Sequence, residues 1–124
     1  MADKDLRISV LLDHYGAMLT DKQREVIDLY YHDYLSLAEI AEQEGITRQG
    51  VRDNIKRGEA QLLEMEQKLH AAERFERLSA LIAEADATLS AIETDYTQRR
   101  RISEVRKVKA LRQKLTQFID DYFA

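Results

Sequence analysis

The sequence predicts an all-α protein, and three observations carry that reading. Apolar residues recur at steps of three and four along nearly the whole chain of 124 residues. The chain has no proline and only four glycines, so little interrupts helices. Two capped helix starts, at Ser36 and Thr47, flank a glycine at position 45, which is the pattern of a helix-turn-helix.

The elements follow in order. A first helix is expected over Lys4 to Leu19, with Ile8, Leu11, Leu12, Tyr15, Met18 and Leu19 on its apolar side and Gly16 as its weak point. Thr20 with Gln23 forms a capping-box pattern that starts a second helix. Val26, Ile27, Tyr30 and Tyr31 line its inner side, and it should end near Tyr34. The Tyr30, Tyr31 and Tyr34 rings read as core lids rather than as platforms for stacked bases.

Ser36 and Glu39 form a second capping box, with Leu35 and Ile40 at the staple positions. Gly45 supplies the left-handed residue that lets the chain leave this helix. Thr47 caps the next helix, stapled by Ile46 and Val51, and nothing stops that helix before about Leu69. Leu62, Met65, Leu69 and Ala72 then begin a heptad seam. Phe75, Leu78, Ile82, Ala85, Leu89, Ile92 and Tyr96 continue it. The step from Ala72 to Phe75 is three where four was due, so a break is expected between His70 and Glu73. A last amphipathic helix carries Ile102, Val105, Val108, Leu111, Leu115, Phe118, Ile119 and Tyr122. Sustained heptads bury little on a lone helix, so a partner helix is implied, in the same chain or in a second copy. Residues 1–68 are thus expected to form a helix-turn-helix domain. Residues 69–124 form a helical extension that dimerises through the Phe75 to Tyr96 heptads.

The binding residues follow from the second helix of the pair. Arg48, Gln49, Arg52, Lys56 and Arg57 fall on or near its outer side, with Thr47 at its cap and Asp53 among them. Arginine, lysine and glutamine donate to phosphates and base edges. The competing reading is an ordinary helical corner with a solvated charged face. Net charge is -4, and the first 62 residues hold eight basic and twelve acidic side chains. A nucleic-acid footprint therefore has to be local, and only Arg48 to Arg57 tilts positive there. Four positive groups give weak, salt-sensitive affinity. A second basic run contains Arg99, Arg100, Arg101, Arg106, Lys107, Lys109, Arg112 and Lys114 against the single acid Glu104. It reads either as a face paired with Glu84, Asp86, Glu93 and Asp95 of the neighbouring helix, or as a second electrostatic footprint.

The stretch LTDKQREVIDLYY (Leu19 to Tyr31) followed by LSLAEIAEQEGITRQGVRDNIKRGEAQL resembles region 4 of bacterial sigma factors. More closely, residues Leu6 to Leu63 resemble the YlxM family of small helix-turn-helix proteins. The likeness rests on Leu12, Asp13 and Tyr15, on Leu19-Thr20-x-Lys22-Gln23, and on Asp28 to Tyr31. It continues through Asp33 to Ala41 and ends with Thr47-Arg48-Gln49-x-Val51-x-Asp53-Asn54-Ile55-Lys56-Arg57. Gly50 and Arg52 depart from it, standing where an alanine and an aromatic residue are more usual. The resemblance implies a DNA-binding regulatory protein and an association with the signal recognition particle pathway, whose genes neighbour those of YlxM-like proteins. Two uses stay open: reading DNA, or serving as an accessory factor that binds the particle's RNA or GTPase.

Catalysis finds no support in the chain. His14, His32 and His70 each lack a second ligand at metal spacing, so neither metal nor cofactor is expected. His32 beside Asp33 reads as a helix-end histidine in a polar turn. There is no glycine-rich phosphate loop, no HExxH, and no nucleophile context around Ser9, Ser36, Ser79, Ser90 or Ser103. There is no cysteine. The start MADKDLRISV lacks the apolar core of a signal peptide, and no run is long enough to span a membrane. A non-enzymatic cytoplasmic protein is expected, with a nucleic acid and a second copy of itself as partners.

Overall fold

Four polar side chains open the first four helices of the computed structural model, which describes residues 5–122. Asp5 accepts the Arg7 N–H at 2.9 Å and opens α1, Leu6–Tyr15. Thr20 accepts the Gln23 N–H and opens α2, Asp21–Tyr31. Ser36 and Glu39 close a reciprocal capping box on α3, Leu37–Glu44. Thr47 accepts the Gly50 N–H at 2.9 Å and opens α4, Arg48–Leu69. Each cap satisfies an amide donor that the helix itself leaves unpaired. Two further helices, α5 (Ala71–Gln98) and α6 (Ile102–Tyr122), complete the chain, and no strand occurs among the described residues. The fold is all-α.

The chain divides into two compact units after Glu73. In the first, α4 runs through the middle and buries Val51, Ile55 and Leu62 against Val26 and Ile27 of α2 and Ile40 of α3. Ile8, Leu11, Leu12 and Tyr15 of α1 close the same core. Gly58 sits in the buried stripe of α4, where a Cβ would lie 2.0 Å from Ile27 Cδ1. The absence of a side chain there lets the backbone of α4 come down directly onto α2.

Several expectations need correction here. The first helix ends at Tyr15 rather than Leu19, and a short 3-10 turn, Gly16–Met18, follows. Its expected start, Lys4, lies outside the described residues. Because the helix stops early, Met18 points outward at 62% exposure while Leu19 still reaches the core. The second helix stops at Tyr31, three residues before Tyr34. Tyr30 and Tyr31 are core residues, as expected. Tyr34 is not: its φ of 57° takes it off the helix, and it stands 68% exposed. Leu69 is exposed too, and the buried position in the last turns of α4 belongs to Glu66.

The break falls where the stammer places it. His70 takes a left-handed conformation (φ 54°) and caps α4. Glu66 then serves the next helix. Its carboxylate accepts the Ala72 and Glu73 N–H groups, both at 3.0 Å, and the Tyr15 hydroxyl at 2.5 Å. Tyr15 Oη in turn accepts the Ala71 N–H. One buried acid thus replaces the local cap that α5 lacks, and its charge suits the positive end of the helix. Burial pushes the Glu66 carboxyl up. The hydrogen bonds from Tyr15, Ala72 and Glu73, with His70 nearby, outweigh burial and hold it below the usual carboxylate range.

In the second unit α5 and α6 form an antiparallel hairpin within one chain. Phe75 stacks on Tyr122 with ring centroids 4.0 Å apart. Arg112 bridges Asp86 and Glu93, both at 2.8 Å. The reversal takes only Arg99 to Arg101, with Arg100 left-handed at φ 58°. One partner for the heptads of α5 is therefore α6 of the same chain.

Candidate nucleic-acid interface

The expected residues of the first site all belong to the first three turns of α4 and its cap. Thr47, Arg48, Gln49, Arg52, Asp53, Lys56 and Arg57 are all exposed, while Val51, Ile55 and Gly58 of the same helix are buried. The burial of one face decides the exposure of the other. Two ridges result, each at four-residue steps. Arg48, Arg52 and Lys56 make the first, and Gln49, Asp53 and Arg57 the second. At 1.5 Å per residue the first ridge spans roughly 12 Å, about the width of the major groove of B-DNA.

The two ridges differ in what they are free to do. Among the described residues, the side chains of Arg48, Arg52 and Lys56 make no hydrogen bond or ion pair. On the second ridge, Gln49 Nε2 donates to Asp53 Oδ1 at 3.0 Å, and Arg57 Nε reaches the Asp53 carbonyl at 3.4 Å. Gln49 and Asp53 are thus clipped to each other, and Gln49 would have to open that bond to present its amide to a base. Asn54 faces inward and donates to the Gly50 carbonyl at 2.9 Å.

Behind this face, the turn is held from three sides. Gly45 has φ 67°, the conformation that glycine adopts without strain. The Ile46 N–H donates to the Ala41 carbonyl at 3.1 Å. Lys22 of α2 donates to Glu44 at 2.9 Å and ties the end of α3 to α2. Tyr31 donates to Glu59 of α4, and burial followed by this bond raises its hydroxyl pKa. His32 lies 3.3 Å from Asp13 and 3.2 Å from Asp28, so its carboxylate neighbours are these two rather than Asp33.

Sequence reasoning missed Gly58, Glu66 and the Lys22–Glu44 pair. The signal for the first two was present. The buried stripe Val51, Ile55, Gly58, Leu62, Glu66 keeps strict helical spacing, and a glycine and a glutamate within it each require a structural reason. The Lys22–Glu44 pair joins residues on different helices and left no local trace.

The second basic run divides evenly. Arg99 pairs with Asp95 at 3.3 Å, Arg101 with Glu104 at 2.9 Å, and Lys109 with Glu93 at 3.8 Å. Together with Arg112, these are the helix pairings that the first of the two readings anticipates. The side chains of Arg100, Arg106 and Lys107 make no ion pair or hydrogen bond among the described residues, nor does that of Lys114. No group of three or more His, Asp or Glu among the described residues is placed to hold a metal ion. Among the described residues no helix is long and apolar enough to cross a membrane.

Comparison with known proteins gives one consistent result. Residues 2–105 match the family UPF0122, described as "Putative helix-turn-helix protein, YlxM / p13 like". The match runs well past Leu63, where the resemblance in sequence ended, and takes in α5 and the start of α6. A UPF0122 protein of Shouchella clausii is 51% identical over 84 residues, 68% of this chain and 77% of the relative. One of Halalkalibacterium halodurans is 50% identical over 82 residues, 66% of this chain and 75% of the relative. One of Bacillus mycoides is 47% identical over 90 residues, covering 73% and 82%. The chain belongs to the UPF0122 family of helix-turn-helix proteins.

Proposed function

We propose that the protein binds duplex DNA through the exposed face of α4 and acts as a non-enzymatic regulatory factor. The observation that carries this is the ridge Arg48, Arg52, Lys56: three cations with no side-chain partner among the described residues, on the second helix of a helix-turn-helix. Arg48 and Arg52 would reach base edges and phosphates, Lys56 and Arg57 the backbone, and Thr47 holds the start of the helix in place. The B-form major groove admits a helix, whereas the major groove of A-form RNA is too narrow and deep for one. This favours DNA for α4.

The test is fluorescence anisotropy with random duplex DNA and with a structured RNA across a salt series. DNA binding should weaken steeply with salt, and each ridge cation replaced by alanine should lower the slope by about 1. Arg52→Ala should also relax any base preference. Equal affinity of wild type and the Arg48/Arg52/Lys56 triple alanine variant for every duplex at low salt would overturn the reading.

A second reading rests on Arg100, Arg106 and Lys107, whose side chains make no ion pair or hydrogen bond among the described residues. They suit an acidic surface, and the YlxM resemblance suggests the signal recognition particle, through its RNA or its GTPase. Co-purification with the particle that survives moderate salt and is lost on changing Arg100, Arg106 and Lys107 to alanine would support it. Retention by that variant would remove it. In either role the protein acts as a pair of chains, as the heptad repeat of α5 suggests.

A further inference from the structure

The hairpin of α5 and α6 is incomplete by itself. From Arg74 to Tyr122 no side chain is fully buried. The seam between the two helices holds charged residues at its middle, where Arg112 meets Asp86 and Glu93. To one side of that seam, Leu81, Ala85 and Leu89 of α5 and Leu111 and Leu115 of α6 line an open groove. Leu81 is 62% exposed, Leu111 46%, and Phe118, one turn further along α6 from Leu111 and Leu115, 53%. The groove runs along both helices, so its occupant must run along them as well.

We propose that this groove is filled by the same groove of a second copy, giving an antiparallel four-helix bundle with its two-fold axis parallel to the helices. This sharpens the dimer reading above and rests on it, but not on nucleic-acid binding. Charge identifies the occupant. The in-chain pairs Phe75–Tyr122 and Asp86–Arg112 fix the register of α5 against α6. Counting from them places Glu84 level with Lys114. Glu84 lines the groove, and Lys114 follows Leu111 by one turn. A two-fold axis along the helices lays α5 of each copy over α6 of the other at the same level. Glu84 then faces Lys114 of the partner subunit. Every neighbouring pair of helices in that bundle is antiparallel, the arrangement of up-and-down bundles. The other symmetric docking, with the axis across the helices at the middle of the groove, stacks α5 on α5 and sets Glu84 close to Glu84 of the partner subunit. Like charges in contact disfavour it. The bundle also explains why the heptads of α5 outrun what the hairpin can bury. One apolar flank serves the chain's own α6, and the next flank serves the second copy.

Sedimentation equilibrium of the full chain without nucleic acid, at tens of micromolar, tests this. Wild type should have twice the mass of one chain, and Leu81→Asp should be a monomer with its helical circular dichroism intact. At low salt Glu84→Lys should weaken the dimer by roughly tenfold or more, and the doubly reversed Glu84→Lys/Lys114→Glu chain should restore it. The rescue is the discriminating result, because stacking α5 on α5 would leave the double variant as repulsive as the wild type. A monomeric wild type, a dimer indifferent to Leu81→Asp, or a double variant no tighter than Glu84→Lys alone would each overturn the proposal. None of these results depends on whether α4 binds DNA.

Discussion

The two units of this chain are made of the same material and reach different ends. Both are built from amphipathic helices joined by short reversals. In the first, Val26, Ile27, Ile40, Val51, Ile55 and Leu62 are completely buried, because α1, α2 and α3 converge on α4 from different sides. In the second, two long helices share a single seam, and no side chain loses all contact with water. A pair of helices can cover only one stripe of each, whereas a third and fourth element can enclose a centre. The polar anchors differ in the same way. Glu66 is buried, and its two oxygens together accept three hydrogen bonds. Arg112 is half-buried and bridges two carboxylates. The first unit therefore specifies its own structure, and the second presents a surface still to be covered.

The largest expected effect measures that contrast directly. Ile55→Ala removes fully buried methyl groups from the centre of the first unit and should cost about 2–5 kcal/mol. Leu81→Ala, at a concentration where the chain is monomeric, changes a side chain already in water and should stay within about 0.5 kcal/mol. Urea unfolding followed by circular dichroism reads both. Similar costs for the two would mean that the second unit has a core of its own, and the contrast would fail.

Glu66 comes next. Glu66→Ala leaves the Tyr15 hydroxyl and the Ala72 and Glu73 N–H groups without their acceptor and should cost about 1–3 kcal/mol. The pH dependence has a definite sign. The folded state holds this carboxyl below its unfolded value. Its stabilisation is therefore present above the usual carboxylate range and lost as pH falls through the lowered value. Glu66→Gln should be less stable than wild type at neutral pH, since its amide would set a donor against the Glu73 N–H. It should also lose less on acidification. A wild-type acid limb with the same slope as the Gln variant would show that Glu66 contributes nothing through its charge. Asp86 is held low by Arg112 in the second unit as well, so the variant, not the wild type alone, separates the two.

What could be read in advance follows a physical boundary. The caps at Thr20, Ser36 and Thr47, the left-handed Gly45 and the break at His70 were all legible, because each depends on residues within one or two turns of chain. The free face of α4 was legible too, since the spacing of Val51 and Ile55 leaves Arg48, Arg52 and Lys56 outside. Contacts between distant residues were not. Tyr15 and Glu66 are 51 residues apart, and nothing in either neighbourhood names the other. Gly58 gives no sign along the chain of what it meets, and it is the place where α4 comes down on Ile27. The Gln49–Asp53 bond lay within reach of a four-residue rule. It was passed over because both residues had been assigned to a nucleic acid.

The smallest expected effect compares one substitution in the two units. Thr47 accepts the Gly50 N–H, and no other group is placed to satisfy that amide, so Thr47→Ala should cost about 1 kcal/mol. Thr94, Thr97 and Thr116 of the second unit do something else. Each donates its hydroxyl to the carbonyl four residues earlier in its own helix, at Ser90, Glu93 and Arg112. Those carbonyls already accept within the helix, and alanine is the better helix former, so Thr116→Ala should be neutral or slightly stabilising. Hydrogen exchange adds a local reading. In Thr47→Ala the Gly50 amide should lose protection while amides in the middle of α4 keep theirs, because fraying is confined to the first turn. That first turn carries Arg48 and Gln49. The same variant should therefore bind duplex DNA more weakly than its loss of global stability explains, whereas Thr116→Ala should leave binding unchanged.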